Sequence, residues 1–177
     1  MRIAAAIIAT TLFTVPLAHA QTPAPAAAPA PVPEVMPFDI PYGMAINLEQ
    51  AQKAIAASEA EAKKHNWKMA ITVVDPAGNL IAAATMDGTQ YASIAIAQGK
   101  ARTAALFRRP SGVFQTAVNG GGANALSLLG LSGGVASEGG FPIVVDGKLV
   151  GAIGASGGIF TQDAVTAKAG LATFEGK

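Results

Sequence analysis

The sequence predicts an α+β fold: an antiparallel sheet with helices packed on it, in the order α-β-β-α-(α)-β-β-α. Two β-rich pairs predict the sheet, each folded about a turn signal, Asp75-Pro76-Ala77-Gly78-Asn79 in the first and Asp146-Gly147 in the second. Three longer stretches of helical character lie before, between and after those pairs. Hairpins pair antiparallel, and their apolar face needs helices to cover it.

Taken in order, Met1 to Ala20 reads as a secretory leader. Arg2 gives the positive start, Ile3 to Val15 is almost wholly apolar, and Ala18-His19-Ala20 is a small-x-small cleavage pattern. The apolar run is shorter than the roughly 20 residues that span a bilayer. Residues 21–45 form a second zone. Pro23, Pro25, Pro29, Pro31, Pro33 and Pro37 alternate mostly with Ala, which favours an extended tether, and Phe38 to Met44 is apolar enough to dock on the folded domain.

That domain is assigned to residues 46–177. Asn47 with Gln50 three positions on is a capping-box signature, and Leu48, Ala51, Ile55 and Ala62 mark the apolar stripe of a helix ending near Lys64-His65-Asn66. Met69 to Val74 and Leu80 to Thr85 are the first strand pair. A helix extends from about Tyr91 to Phe107, ended by Arg108-Arg109-Pro110, because the residue before proline avoids helical angles. Ser111 to Val118 predicts a short helix. Asn119 to Gly140, with eight glycines, reads as a long connector. Phe141 to Val145 and Lys148 to Ala155 are the second pair. Thr161 to Phe174 closes the chain as a helix, with Thr161 as its cap and Asp163 near its positive end.

Composition narrows the chemistry. The formal charge is +1, and losing Arg2 with the leader brings it to 0, so nothing marks a nucleic-acid surface. The chain has no cysteine, which excludes disulfides, thiolate catalysis and covalent haem attachment. With two histidines, one of them in the leader, no zinc-type spacing exists. Gly154-Ala155-Ser156-Gly157-Gly158 has the form of a nucleophile elbow, but its only available base, His65, precedes the serine; a glycine turn between strand and helix accounts for it far better.

The sharpest local signal is cationic. Arg102, Arg108 and Arg109 are the only arginines after the leader, and Lys100 is adjacent. Guanidinium forks suit carboxylates or phosphates, while cations near a helix C-terminus also complement its dipole. The same helix has a small-residue face, Ala92, Ile96, Gly99 and Thr103, which something must approach closely: the sheet, another subunit or a flat ligand. His65 is either an axial ligand or a solvated residue at a helix end.

Several segments in register resemble the GlcG/HbpS family. These are Val73-Val74-Asp75-x-x-Gly78-x-Leu80; Met86-Asp87-Gly88; Ser93 with Lys100-Ala101-x-Thr103-Ala104; Gly139-Gly140-x-Pro142-Ile143; Val150-Gly151-Ala152-Ile153-Gly154-x-Ser156-Gly157-Gly158; and Gln162-Asp163 with Ala169-Gly170. Thr85 departs from the family, which usually has Arg before Met-Asp-Gly. The resemblance implies a profilin-like sheet, assembly into homo-oligomers, and non-covalent b-type haem binding in exported members, some with haem-degrading activity. By motif, Thr103 takes the role of a threonine iron ligand, and His65 is the only possible histidine ligand. Lys100, Arg102 or Arg108 would then pair the propionates, with Phe107 and Phe141 covering the macrocycle. No catalytic residue is assigned. A non-catalytic module for another planar or anionic molecule, or an oligomeric scaffold, fits the same residues. The location expected is periplasmic or secreted, without stable membrane insertion.

Overall fold

The structure, a computed structural model, describes residues 31–121, 124, 127, 129–130 and 133–175. The proposed leader, and the tether as far as Ala30, lie outside the described residues, as does part of the glycine-rich connector. All elements below belong to the unit that begins at Val35.

Helix α1 spans Leu48–Lys64. Asn47 and Gln50 close the expected capping box, each side chain accepting the other's backbone N–H at 2.9 Å. Ala51, Ala54, Ile55, Ser58 and Ala62 face inward, whereas Leu48, expected in the stripe, is exposed. Strands β1 (Ala70–Val74) and β2 (Leu80–Thr85) pair antiparallel. The Asp75 carboxylate closes their turn by accepting from the Asn79 backbone and side chain. Helix α2 spans Ser93–Phe107 and α3 spans Gly112–Asn119. The described residues at 124, 127, 129 and 130 are helical, where the glycine pattern predicts connector.

Strands β3 (Gly140–Val145) and β4 (Lys148–Ser156) form the second hairpin. Asp146 and Gly147 have φ of +50° and +72°, the two left-handed positions a tight hairpin turn needs. Helix α4 covers Phe160–Leu171, and one 3-10 turn, Ala172–Phe174, completes what the sequence predicts as continuous helix. Thr161 is not its cap. Ile159 holds that position, its N–H donating to Gln162 Oε1 at 3.0 Å.

The sheet order is β2-β1-β4-β3, antiparallel throughout. Helices α1 and α4 pack together on one face, around Met69, Ile71, Val73, Phe141, Ile143 and Ile153. Helix α2 covers the other face through Ala101, Ala104 and Ala105 against Val74 and Ala152. Its approach is close because β4 is built of small residues: a Cβ on Gly154 would collide with the Ala97 carbonyl and the Ala101 amide. Beside the start of β4, an isolated parallel bridge joins Tyr42 to Leu149, outside the four strands, with Gly43 and Ile46 donating to the carbonyls of Leu149 and Val150.

Candidate functional site

The structure commits most of the α2 residues that the sequence offers to a ligand. Lys100 is 1% exposed. Its Nζ lies 2.6 Å from Asp163 Oδ2 and donates to the Ala155 carbonyl at 3.2 Å, so it cannot pair a propionate. Burial lowers the Lys100 ammonium and raises the Asp163 carboxyl from their ordinary pKa values, each opposed by the other's charge. Thr103 is fully buried. Its hydroxyl donates to the Gly99 carbonyl and accepts from the Val135 N–H, both at 2.8 Å, leaving no approach for iron.

Two of the arginines serve the backbone around them, and the third stacks on aromatic rings. Arg108 ends α2 in the left-handed region (φ +53°). It donates to the Ile40 carbonyl at 3.1 Å, lies 3.6 Å from Asp39, and sits over the Tyr42 ring. Arg109 is stacked on Phe38 at 4.0 Å and Phe114 at 4.7 Å. Arg102 reaches the Gly78 carbonyl at 3.3 Å, holding the first hairpin turn. Phe107 packs edge-on against Phe114. Phe141 lies on the α1/α4 face of the sheet, opposite α2, with Lys168 over its ring. Neither phenylalanine offers a cover for a macrocycle laid on α2. The small-residue face is divided: Gly99 and Thr103 are met by Val135, while Ala92 and Ile96 are exposed.

His65 has a different setting. It caps the last turn of α1 and remains exposed. Its Nε2 lies 3.2 Å from Glu61 Oε1, and its ring stacks on Trp67, centroids 4.3 Å apart and planes at 20°. Asn66, in the left-handed region at φ +56°, turns the chain so that the two rings meet. Hydrogen bonds from Lys64 and His65 hold the Glu61 carboxyl below the usual carboxylate range.

Trp67 and Lys68 also line a cavity of about 380 Å³, with Gly88, Gln90, Gly157, Gly158 and Gln162 as its other walls. Sequence reasoning does not assemble this site. Its signal lies in three segments, Met86-Asp87-Gly88, Ser156-Gly157-Gly158 and Gln162-Asp163, which the fold brings to one end of the sheet. Glycine is required at Gly157, where a Cβ would collide with the Lys68 carbonyl. The loop is fixed from behind: the Gly158 N–H donates to Asp163 Oδ1 at 3.1 Å. Among the described residues, no group of three His, Cys, Asp or Glu side chains could hold a bare metal ion. An imidazole that meets a carboxylate and stacks on a ring of the cavity wall is a donor type that suits a metal already held in a macrocycle.

Comparison with known proteins gives this geometry its context. The family described as haem-degrading protein HbpS-like matches residues 46–172. Protein GlcG of Escherichia coli K12 is 41% identical over 111 residues, covering 63% of this chain and 81% of GlcG. The crystal structure of Klebsiella pneumoniae ORFY superposes with a TM-score of 0.70 at 27% identity, covering 84% of this chain and 99% of that one. A double mutant of Streptomyces reticuli HbpS gives 0.68 at 29%, covering 82% and 97%. A PduOC–heme complex gives 0.69 at 24%, covering 75% and 96%, a likeness of fold.

Proposed function

We propose, from the premise that this chain belongs to the HbpS-like family of haem-degrading proteins, that it binds haem non-covalently at the loop end of its sheet. The observation that carries this reading is His65, held by Glu61 and stacked on Trp67, a ring that with Lys68 forms part of the cavity wall; His65 itself is not among the lining residues. With Nε2 turned to the Glu61 carboxylate, the other ring nitrogen would be the one to hold the iron. Lys68 would pair a propionate. Trp67 and the glycine walls would receive the edge of the ring. Bound as a b-type group, haem would itself supply any oxygen or peroxide chemistry. The heme complex of a protein with the same fold supports the ligand class.

The site is tested by hemin titration followed in the Soret band. The native chain should shift the band at micromolar hemin. His65→Ala should weaken binding by about tenfold or more and move the band, and Glu61→Gln should weaken it by about tenfold. Thr103→Val should leave the band in place and lower the melting temperature instead, since it strands the Val135 N–H. A native chain that leaves the hemin spectrum unchanged overturns the reading. Faster hemin bleaching by peroxide than for free hemin would establish degradation; equal rates would restrict the protein to binding.

Export and assembly belong to the same proposal. The leader at Met1 to Ala20 supports an exported, periplasmic or secreted protein, and a mature N-terminus at Gln21 would establish it. No helix among the described residues is long and apolar enough to cross a membrane. Exposed Tyr91, Ile96, Ile159 and Phe160, near the starts of α2 and α4, would be apolar side chains available for homo-oligomer contact, testable by size-exclusion chromatography.

A further inference from the structure

The buried Lys100–Asp163 pair stands directly behind the Gly157–Gly158 wall of the cavity. Lys100 comes from α2, on one face of the sheet, and Asp163 from the first turn of α4, on the other. They meet at the end of β4, where Lys100 also holds the Ala155 carbonyl. The two Asp163 oxygens divide their partners, Oδ2 accepting from the ammonium and Oδ1 from the Gly158 N–H. The surroundings are built around this contact. A Cβ on Gly139 would lie 2.9 Å from both the Ala155 carbonyl and the Asp163 Cβ, and 3.1 Å from Lys100 Nζ. The wall itself is closely packed, since a Cβ on Gly157 would collide with the Lys68 carbonyl and one on Gly158 with the Gln162 side chain.

We infer that Asp163, steadied by Lys100, is a positioning residue for the ligand cavity, holding the Gly157–Gly158 wall in the shape that receives a flat ring. The inference rests on the loop-end haem site proposed above. It assigns to Lys100 and Asp163 a role at one remove from the ligand, in place of direct propionate pairing. A purely structural ion pair would matter for stability alone. A positioning pair must also change the ligand's spectrum and affinity when the Gly158 contact is lost in a folded chain.

Two double variants separate these roles. Lys100→Met with Asp163→Asn removes both charges but retains an oxygen that accepts from Gly158. Lys100→Met with Asp163→Leu removes the charges and the acceptor together. Apolar replacement of a buried pair is commonly tolerated. With circular dichroism matching the native chain, the Met/Asn variant, which loses the Lys100 contact but keeps the acceptor for Gly158, should bind hemin less tightly than native but clearly more tightly than the Met/Leu variant, with a smaller displacement of the Soret band. The Met/Leu variant should bind about tenfold more weakly, with a displaced band. Equal hemin binding by the two folded variants overturns the inference while leaving the haem site intact. Loss of binding in His65→Ala, measured in parallel, keeps the two questions separate.

A second measurement needs no variant. In the native chain, saturating hemin should slow amide hydrogen exchange at Gly157 and Gly158. Unchanged exchange there, with the Soret shift present, also overturns the inference, as does a native chain that does not bind hemin at all.

Discussion

At the scale of single residues, the charges that matter most are the two taken out of water. Lys100 and Asp163 are 1% and 2% exposed in their side chains, and both are desolvated. Lys100→Met leaves a buried carboxylate without its counter-ion, a change that costs about 3–5 kcal/mol at neutral pH. The sign of its pH dependence comes from Asp163. Burial already raises that carboxyl above its ordinary value of 3.8, and Lys100 is the largest influence pulling it back. In the variant the folded pKa rises further, so the folded chain takes up the proton before the unfolded chain does. Stability then increases as pH falls from neutral through the folded pKa towards 3.8. Glu138, which also acts on Lys100, loses that partner but retains its own exposure to solvent. Urea midpoints of the variant and native chains should therefore lie closer together at pH 5 than at pH 7; a gap that widens on acidification would refute the assignment. The sequence places Asp163 at a helix start and Lys100 near three arginines. It cannot show that they meet, because they are 63 positions apart and their contact depends on where α2 crosses the sheet.

Between elements, glycine sets how closely α2 lies on β4. Adding a methyl at Gly154 drives it into the backbone of α2 at Ala97 and Ala101, which cannot yield without lifting the helix from the sheet. Adding one at Gly99 meets only the Val135 side chain, at 2.5 Å. Gly154→Ala should therefore cost about 3 kcal/mol or more, whereas Gly99→Ala should cost about 1 kcal/mol, part of the overlap being offset by better helix propensity. Thermal melts of the two variants compare them directly, and equal losses would contradict this packing. The elements themselves are readable in the sequence because their ends carry local chemistry: Asn47 with Gln50, Asp75 to Asn79, Asp146-Gly147. Where an end is set by tertiary contacts, the sequence misleads. Thr161 has the chemistry of a cap, but the loop from β4 enters the helix earlier and gives that place to Ile159. The arginines resemble a ligand site because nothing local reveals that Phe38 to Tyr42 come to lie against them.

Across the whole domain, the two ends of the sheet carry different features. One end carries His65, Trp67 and the glycine-walled cavity. The other carries the C-terminus of α2 and the segment laid over it, where the Tyr42 hydroxyl donates to the Leu106 carbonyl and Arg108 and Arg109 hold Ile40 and Phe38. Helix α2 runs between them, its 15 residues spanning about 22 Å. The cavity is legible in the sequence only as scattered matching motifs, since its walls come from loops that the sheet alone brings together. The separation predicts the effect of shortening the chain. A form beginning at Ile46 lacks the Gly43–Leu149 and Leu149–Pro41 backbone bonds and both arginine contacts, while keeping the capping box of α1. The lost contacts are the two backbone bonds, the Arg108–Ile40 and Tyr42–Leu106 hydrogen bonds, and the stacking of Arg108 on Tyr42 and of Arg109 on Phe38. At about 1 kcal/mol for each hydrogen bond and about 0.5–1 kcal/mol for each cation–ring contact, the loss is about 5 kcal/mol. That corresponds to a melting point lower by roughly 15–20 °C. Hemin affinity and the Soret band should be those of the longer chain, because none of the residues that line the cavity comes from positions 35–45. If the shortened form melts lower and binds hemin unchanged, the ends are independent. If it loses the Soret shift while remaining folded, the ligand sits near the arginines after all, and the site at His65 is wrong.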